Sequence, residues 1–166
     1  MSTQDNLKEA FAGESQANRK YLAYGEQAAR DGLAMVAKLF RAVAAAETIH
    51  AHSHLRAMDG VKETVANLED AIAGEEHEFT HMYPPMLAEA KAEGHKRAER
   101  SMTYALEVEK VHFGLFKQAL EAAKAGKDLL VSAIRVCPVC GHTVIGEAPD
   151  ECPVCKIKGE KFAEVA

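Results

Sequence analysis

Apolar residues recur at steps of three and four along four long stretches of this chain, the period of amphipathic helices. From about Thr3 to Arg30 the stripe is Leu7, Phe11, Ala17, Tyr21 and Ala28. From about Leu33 to Met58 it is Val36, Phe40, Val43 and Leu55, stopping at Asp59-Gly60. A third helix is expected to open at Asn67, a good N-cap residue with Asp70 three positions on. It carries Leu68, Ile72, Phe79, Met82 and Met86 and fades at Gly94. Pro84-Pro85 removes two backbone donors inside that stretch and predicts a kink. The fourth runs from about Lys96 to Ala125 with Met102, Ala105, Phe113, Phe116 and Leu120, ending at Gly126. Four amphipathic rods of roughly 40 Å with short connections predict a mostly α chain, a four-helix bundle.

Polar residues interrupt these stripes where leucine would be expected. Glu14 lies seven residues after Leu7 and seven before Tyr21. Glu47 and His50 continue Val36, Phe40 and Val43. Glu75 follows Leu68 and Ile72, with Glu78 one turn on. Glu109 follows Met102 by seven, and His112 precedes Phe116 by four. An ionised carboxylate in an apolar core needs a partner or must shift its pKa. No lysine or arginine on the stripes stands at these levels, so a metal cation is the expected partner. Glu-x-x-His puts an oxygen and a nitrogen ligand on one side of a helix. One glutamate from each of two helices plus Glu-x-x-His from the other two is the ligand set of di-metal carboxylate bundles. Such a set suits iron or manganese better than magnesium, and zinc also fits. Glu78-Phe-Thr-His81 repeats the spacing, but His81 lies off the stripe and is read as a decoy. His54 is read as a neighbour of the site, and His52, His77 and His95 as surface residues.

Composition narrows the classes. Twenty basic and 25 acidic residues give a formal charge of −5 with no Lys/Arg block, which argues against a nucleic-acid partner. The most hydrophobic stretch, Leu33 to Ala46, is broken by Lys38 and Arg41, so no membrane span is expected. The N-terminal residues have no apolar run of signal-peptide length, and the expected compartment is the cytoplasm.

All four cysteines fall in "VCPVCGHTVIGEAPDECPVC", as Cys137-x-x-Cys140 and Cys152-x-x-Cys155. Two such knuckles in a reducing compartment hold one tetrahedral metal ion. Spacing alone favours structural zinc and leaves a one-electron iron site open. The expected division is a di-metal bundle over 1–130 and a cysteine module over 131–166.

The segments "AFAGESQANRKYLAY", "AETIH", "AIAGEEHEFTHMYPPM" and "EVEKVHF", followed by the double knuckle, resemble rubrerythrin across essentially all 166 residues. The resemblance implies a ferritin-like di-iron bundle joined to a rubredoxin-like iron–tetrathiolate domain, and reduction of hydrogen peroxide to water. It implies that Glu14, Glu47, Glu75, Glu109 and His112 ligate two irons. It makes His50 and Glu78 a pair that alternates between the reduced and oxidised states. Tyr21 and Tyr83 match tyrosines lining the family's di-iron pocket. It turns the four-cysteine site towards iron, with zinc still open. An electron-donating reductase or rubredoxin and a homodimer or larger assembly are the implied partners. His142, where rubredoxins usually carry an aromatic residue, and Lys156, after the last cysteine, depart from the pattern. The rival readings are a ferroxidase that handles iron and a structural bundle bearing a zinc ribbon. One geometric expectation is separate. Gly126 lies seventeen residues beyond Glu109, about 25 Å along a helix. A cysteine module there serves the site only if its linker folds back or a head-to-tail partner supplies it.

Overall fold

The computed structural model describes residues 2–166. Its helices are α1 (Thr3–Arg30), α2 (Ala34–Ala57), α3 (Thr64–His77), α4 (Tyr83–Ala92) and α5 (Lys96–Lys124). Three short strands follow: β1 (Ile134–Val136), β2 (Thr143–Ile145) and β3 (Ala163–Glu164). The chain packs as two compact units, Met1–Lys62 and Glu63–Ala166. All four expected rods are present, the third being α3 and α4 joined by a π-helical turn. Among the described residues no helix is long and apolar enough to cross a membrane.

The first unit is the α1–α2 hairpin. Ser2 caps α1 by a reciprocal pair of hydrogen bonds: its Oγ accepts from the Asp5 N–H at 3.1 Å, and Asp5 Oδ2 accepts from the Ser2 N–H at 2.8 Å. The inner face of α2 is a ladder of Ala37, Ala44 and Ala51, each buried and seven residues apart. Small side chains let α1 approach closely, and a Cβ added at Gly25 would stand 3.3 Å from the Ala37 carbonyl oxygen. Asn18 is buried in this seam and donates from Nδ2 to the Ala44 carbonyl at 2.6 Å and to Thr48 Oγ1 at 2.8 Å. A buried amide is tolerated because its donors are satisfied. Four of the hairpin's larger apolar residues, Leu33, Met35, Leu39 and Ile49, are exposed.

The second unit pairs α3 and α4 with α5 and adds the cysteine module. Asn67 is not the cap of α3. The helix starts at Thr64 after Glu63, whose backbone is extended, and the Asn67 N–H already donates to the Glu63 carbonyl at 3.0 Å. Asparagine's capping preference is local and weak. Here it is overridden, and Asn67 sits within the first turn. The kink expected at Pro84-Pro85 takes the form of a π turn over Glu78–Met82. A proline ring displaces the carbonyl four residues back. The Tyr83 N–H therefore reaches five back, to Glu78, and the prolines begin α4, where missing donors cost nothing. The widened turn re-aims Glu78 and Tyr83.

In the module the sheet order is β2-β1-β3, antiparallel throughout. Each knuckle closes on a left-handed residue one position after its second cysteine, Gly141 (φ 83°) and Lys156 (φ 66°). Their N–H groups donate to the Cys137 and Cys152 carbonyls, both at 3.0 Å. Lys156 thus does with a strained backbone what glycine does in the first knuckle. His142 is buried and meets Phe162 edge-on at 6.2 Å, filling the place of an aromatic ring.

Candidate metal centres

Three groups of metal-type side chains assemble among the described residues, each with its ligand atoms within 4.8 Å of one another. The first belongs to the α1–α2 hairpin. Glu14 comes from α1, and Glu47 and His50 from successive turns of α2. His50 Nδ1 lies 2.9 Å from Glu47 Oε2 and 3.8 Å from Glu14 Oε1. Tyr21 stands two turns along α1 from Glu14, packed on Phe40 with ring centroids 6.1 Å apart.

The second group belongs to the other unit and repeats the pattern. Glu75 comes from α3, and Glu109 and His112 from α5. His112 Nδ1 lies 2.7 Å from Glu109 Oε2 and 3.9 Å from Glu75 Oε2. Burial pushes Glu75 up to about 7, helped by its hydrogen bond to Glu109 and by the charge of that carboxylate. Burial, then Glu109, also raises Glu78. Tyr83 is raised by burial and by Glu78, Glu109 and Glu75, so its phenol stays protonated. The π turn therefore brings Glu78 and Tyr83 into the field of this group. His81 is elsewhere, exposed and stacked on His77 at 5.5 Å.

Carboxylates that must share or take up protons to coexist are the electrostatic signature of a site built for a cation. A consequence can be measured on chelated, metal-free protein. Glu75 has its folded value near 7 against an ordinary 4.5, so its contribution is full below about 4.5 and lost as pH rises through 7. Up to about 3 kcal/mol is at stake. Metal-free protein should lose urea resistance between pH 5 and pH 8, and Glu75→Gln should flatten that loss. Parallel curves for the two proteins would count against it.

The third group is Cys137, Cys140, Cys152 and Cys155. The sulfurs of Cys137 and Cys155 are 3.4 Å apart, and those of Cys140 and Cys152 are 3.5 Å apart. Both distances exceed a disulfide's roughly 2.05 Å. They approach the roughly 3.8 Å edge of a tetrahedron with 2.3 Å metal–sulfur bonds. Burial raises Cys140 and Cys155. Burial also raises Cys152, but N–H groups of Cys155 and Val154 aimed at its sulfur bring it down to about 7. The donors fit a thiolate-bound ion.

The module's position answers the distance question. The segment 127–133 folds back, and β2 packs on α5 of the same chain. Thr143 Oγ1 lies 3.0 Å from His112 Nε2. Of the two expected routes, folding back of the linker is the one seen within the chain. Thr143 was not singled out from the sequence, because its contact spans 31 residues and leaves no periodic trace.

The family model described as rubrerythrin matches residues 5–120, and the rubrerythrin rubredoxin-like domain matches 136–163. Rubrerythrin-2 of Clostridium acetobutylicum is 39% identical, covering 96% of this chain and 95% of its own. Nigerythrin of Nitratidesulfovibrio vulgaris is 34% identical over 93% of this chain and 82% of its own. Solved structures of nigerythrin in mixed-valence and fully reduced, all-ferrous states superpose with TM-score 0.56 at 31% identity, covering 99% of this chain and 87% of theirs.

Proposed function

Because the chain belongs to the rubrerythrin family, we propose that it is a non-haem peroxidase that reduces hydrogen peroxide to water with electrons entering at the four-cysteine site. Its fold is ferritin-like with a C-terminal rubredoxin-like module, and its cofactor is iron. As functional domains we assign 1–130 to the di-iron helices and 131–166 to the module.

The proposed iron ligands are Glu14, Glu47, Glu75, Glu109 and His112 in the helices, with His50 and Glu78 alternating, and the four cysteines in the module. Two bound irons would supply two electrons and the Lewis acidity that cleaves an O–O bond. The protein's own groups do the rest. Five glutamates overcompensate a pair of ferrous ions and suit the oxidised pair, which gives Glu78 a reason to join only after oxidation. Tyr83, kept protonated by burial and then by the surrounding carboxylates, keeps its phenol O–H as a hydrogen-bond donor beside these groups. Tyr21 is assigned to the pocket wall.

The observation that carries this reading is the docking of β2 on α5, which sets a one-electron module against a helix bearing two proposed ligands. Iron storage needs no second redox centre. The partners are peroxide, a reductase or rubredoxin, and a second copy of the chain. Leu33, Met35, Leu39 and Ile49 leave an apolar face that an assembly of two or more would cover. The proposed compartment is the cytoplasm. Anaerobic steady-state assays with a reductase and rubredoxin should show peroxide consumption well above the rate with dioxygen as oxidant. Faster oxidation by dioxygen, with iron retained as a mineral, would favour the ferroxidase.

A further inference from the structure

We propose that the Thr143 hydroxyl is the positioning group for His112, and that through it the four-cysteine module tunes the bundle's metal site within one chain. The proposal rests on His112 being a metal ligand, and not on peroxide being the substrate. Thr143 Oγ1 lies 3.0 Å from His112 Nε2 and 3.0 Å from the Gly141 carbonyl oxygen. A carbonyl can only accept, so the hydroxyl proton points to Gly141. The hydroxyl's lone pairs then face the imidazole, and Nε2 must be the donor. A neutral ring with its proton on Nε2 presents the Nδ1 lone pair on its other side. That side faces Glu109 Oε2 at 2.7 Å and Glu75 Oε2 at 3.9 Å. Nitrogen and oxygen lone pairs turned to one point make a cation's place, and the ring is held in its ligating tautomer. Ligating histidines are oriented through the other ring nitrogen.

The surroundings strengthen the contact. His112 and Thr143 line an apolar cavity of about 450 Å³ with Leu68, Leu115, Ile134 and Ile145. With His112 only 26% exposed, that apolar wall shields one side of the contact. The route is also short in sequence, because Gly141 directly follows Cys140. Two hydrogen bonds thus join a residue next to a cysteine ligand to the imidazole. Any shift of β2 against α5 is felt at His112.

The test uses iron-loaded full-length protein. Thr143→Val keeps the branched shape and strand preference but removes the hydroxyl, whereas Thr143→Ser keeps the hydroxyl. Ferrous titration of the bundle site should weaken by about tenfold or more in Thr143→Val, with the tetrathiolate colour retained. Thr143→Ser should stay close to the parent. Parental ferrous affinity in Thr143→Val would overturn the proposal, as would equal weakening in Thr143→Ser, which would mark packing by the methyl. A second measurement needs no variant. In zinc-loaded protein, imidazole nitrogen shifts should put the His112 proton on Nε2, and a proton on Nδ1 would overturn the assignment. If His112→Ala kept full bundle metal, the ligand assignment itself would fall instead.

Discussion

Glu109→Ala should empty the bundle of metal while leaving the four-cysteine site coloured and folded. Glu109 acts on each of its neighbours: it meets His112 Nδ1 at 2.7 Å, shares a hydrogen bond with Glu75, and by its charge adds to the burial that raises Glu78 and Tyr83. Removing it takes a negative charge and an oxygen donor from the centre of the set. The loss of affinity should exceed the roughly 10–100-fold typical of outer-shell changes. Metal analysis should fall from three ions per chain, the proposed complement, to the one held by the cysteines. The isosteric Glu109→Gln adds a test of sign. In metal-free protein it should stabilise the fold, because the carboxylate that repels Glu75 and Glu78 is gone. Three ions still bound in Glu109→Ala, or a less stable metal-free Glu109→Gln, would contradict the electrostatic account.

The second large effect is expected at Cys152. Its side chain is fully buried, and N–H groups from its own knuckle converge on its sulfur. Three strands of three, three and two residues cannot bury a core that would hold the module without metal. A structural metal site contributes roughly 10–16 kcal/mol of apparent binding energy, and Cys152→Ser leaves it one thiolate short. The module should lose its colour, and amides from Ile134 to Glu164 should exchange freely. The α1–α2 hairpin should keep its protection, since Asn18 and the alanine ladder make its seam without any metal. Retained protection in the module of Cys152→Ser would show that it folds on side-chain packing alone.

These expectations depend on features of unequal legibility. Helix extents and the Glu14, Glu47/His50, Glu75 and Glu109/His112 pattern follow from periodicity, because each proposed ligand sits on its own helix's apolar face. Each unit gathers its own three. The cysteine cluster was equally plain, since its spacing is its geometry. Features set by distant contacts were not visible. Asn18 reads as an ordinary polar residue until Ala44 and Thr48 arrive from the next helix. Asn67 looked like a cap because its preference is local, while the start of α3 was set one turn earlier. Pro84-Pro85 announced a distortion but not that the π turn would place Glu78 and Tyr83. The fold-back of the module onto α5 depends on Thr143 and its apolar neighbours meeting across a linker, which no local pattern encodes.

The central proposal is that electrons entering at the four-cysteine site reach a peroxide-reducing di-iron site. Its most direct test is a stopped-flow reaction of fully reduced, iron-loaded protein with limiting hydrogen peroxide in the absence of oxygen. Each peroxide should take two electrons and two protons and leave as two waters. Colour at the four-cysteine site should follow within the same mixing experiment, as that site gives up its electron, and no dioxygen should be released. In Glu109→Ala the same colour should develop far more slowly. Release of dioxygen, or colour developing equally fast in Glu109→Ala, would contradict the account.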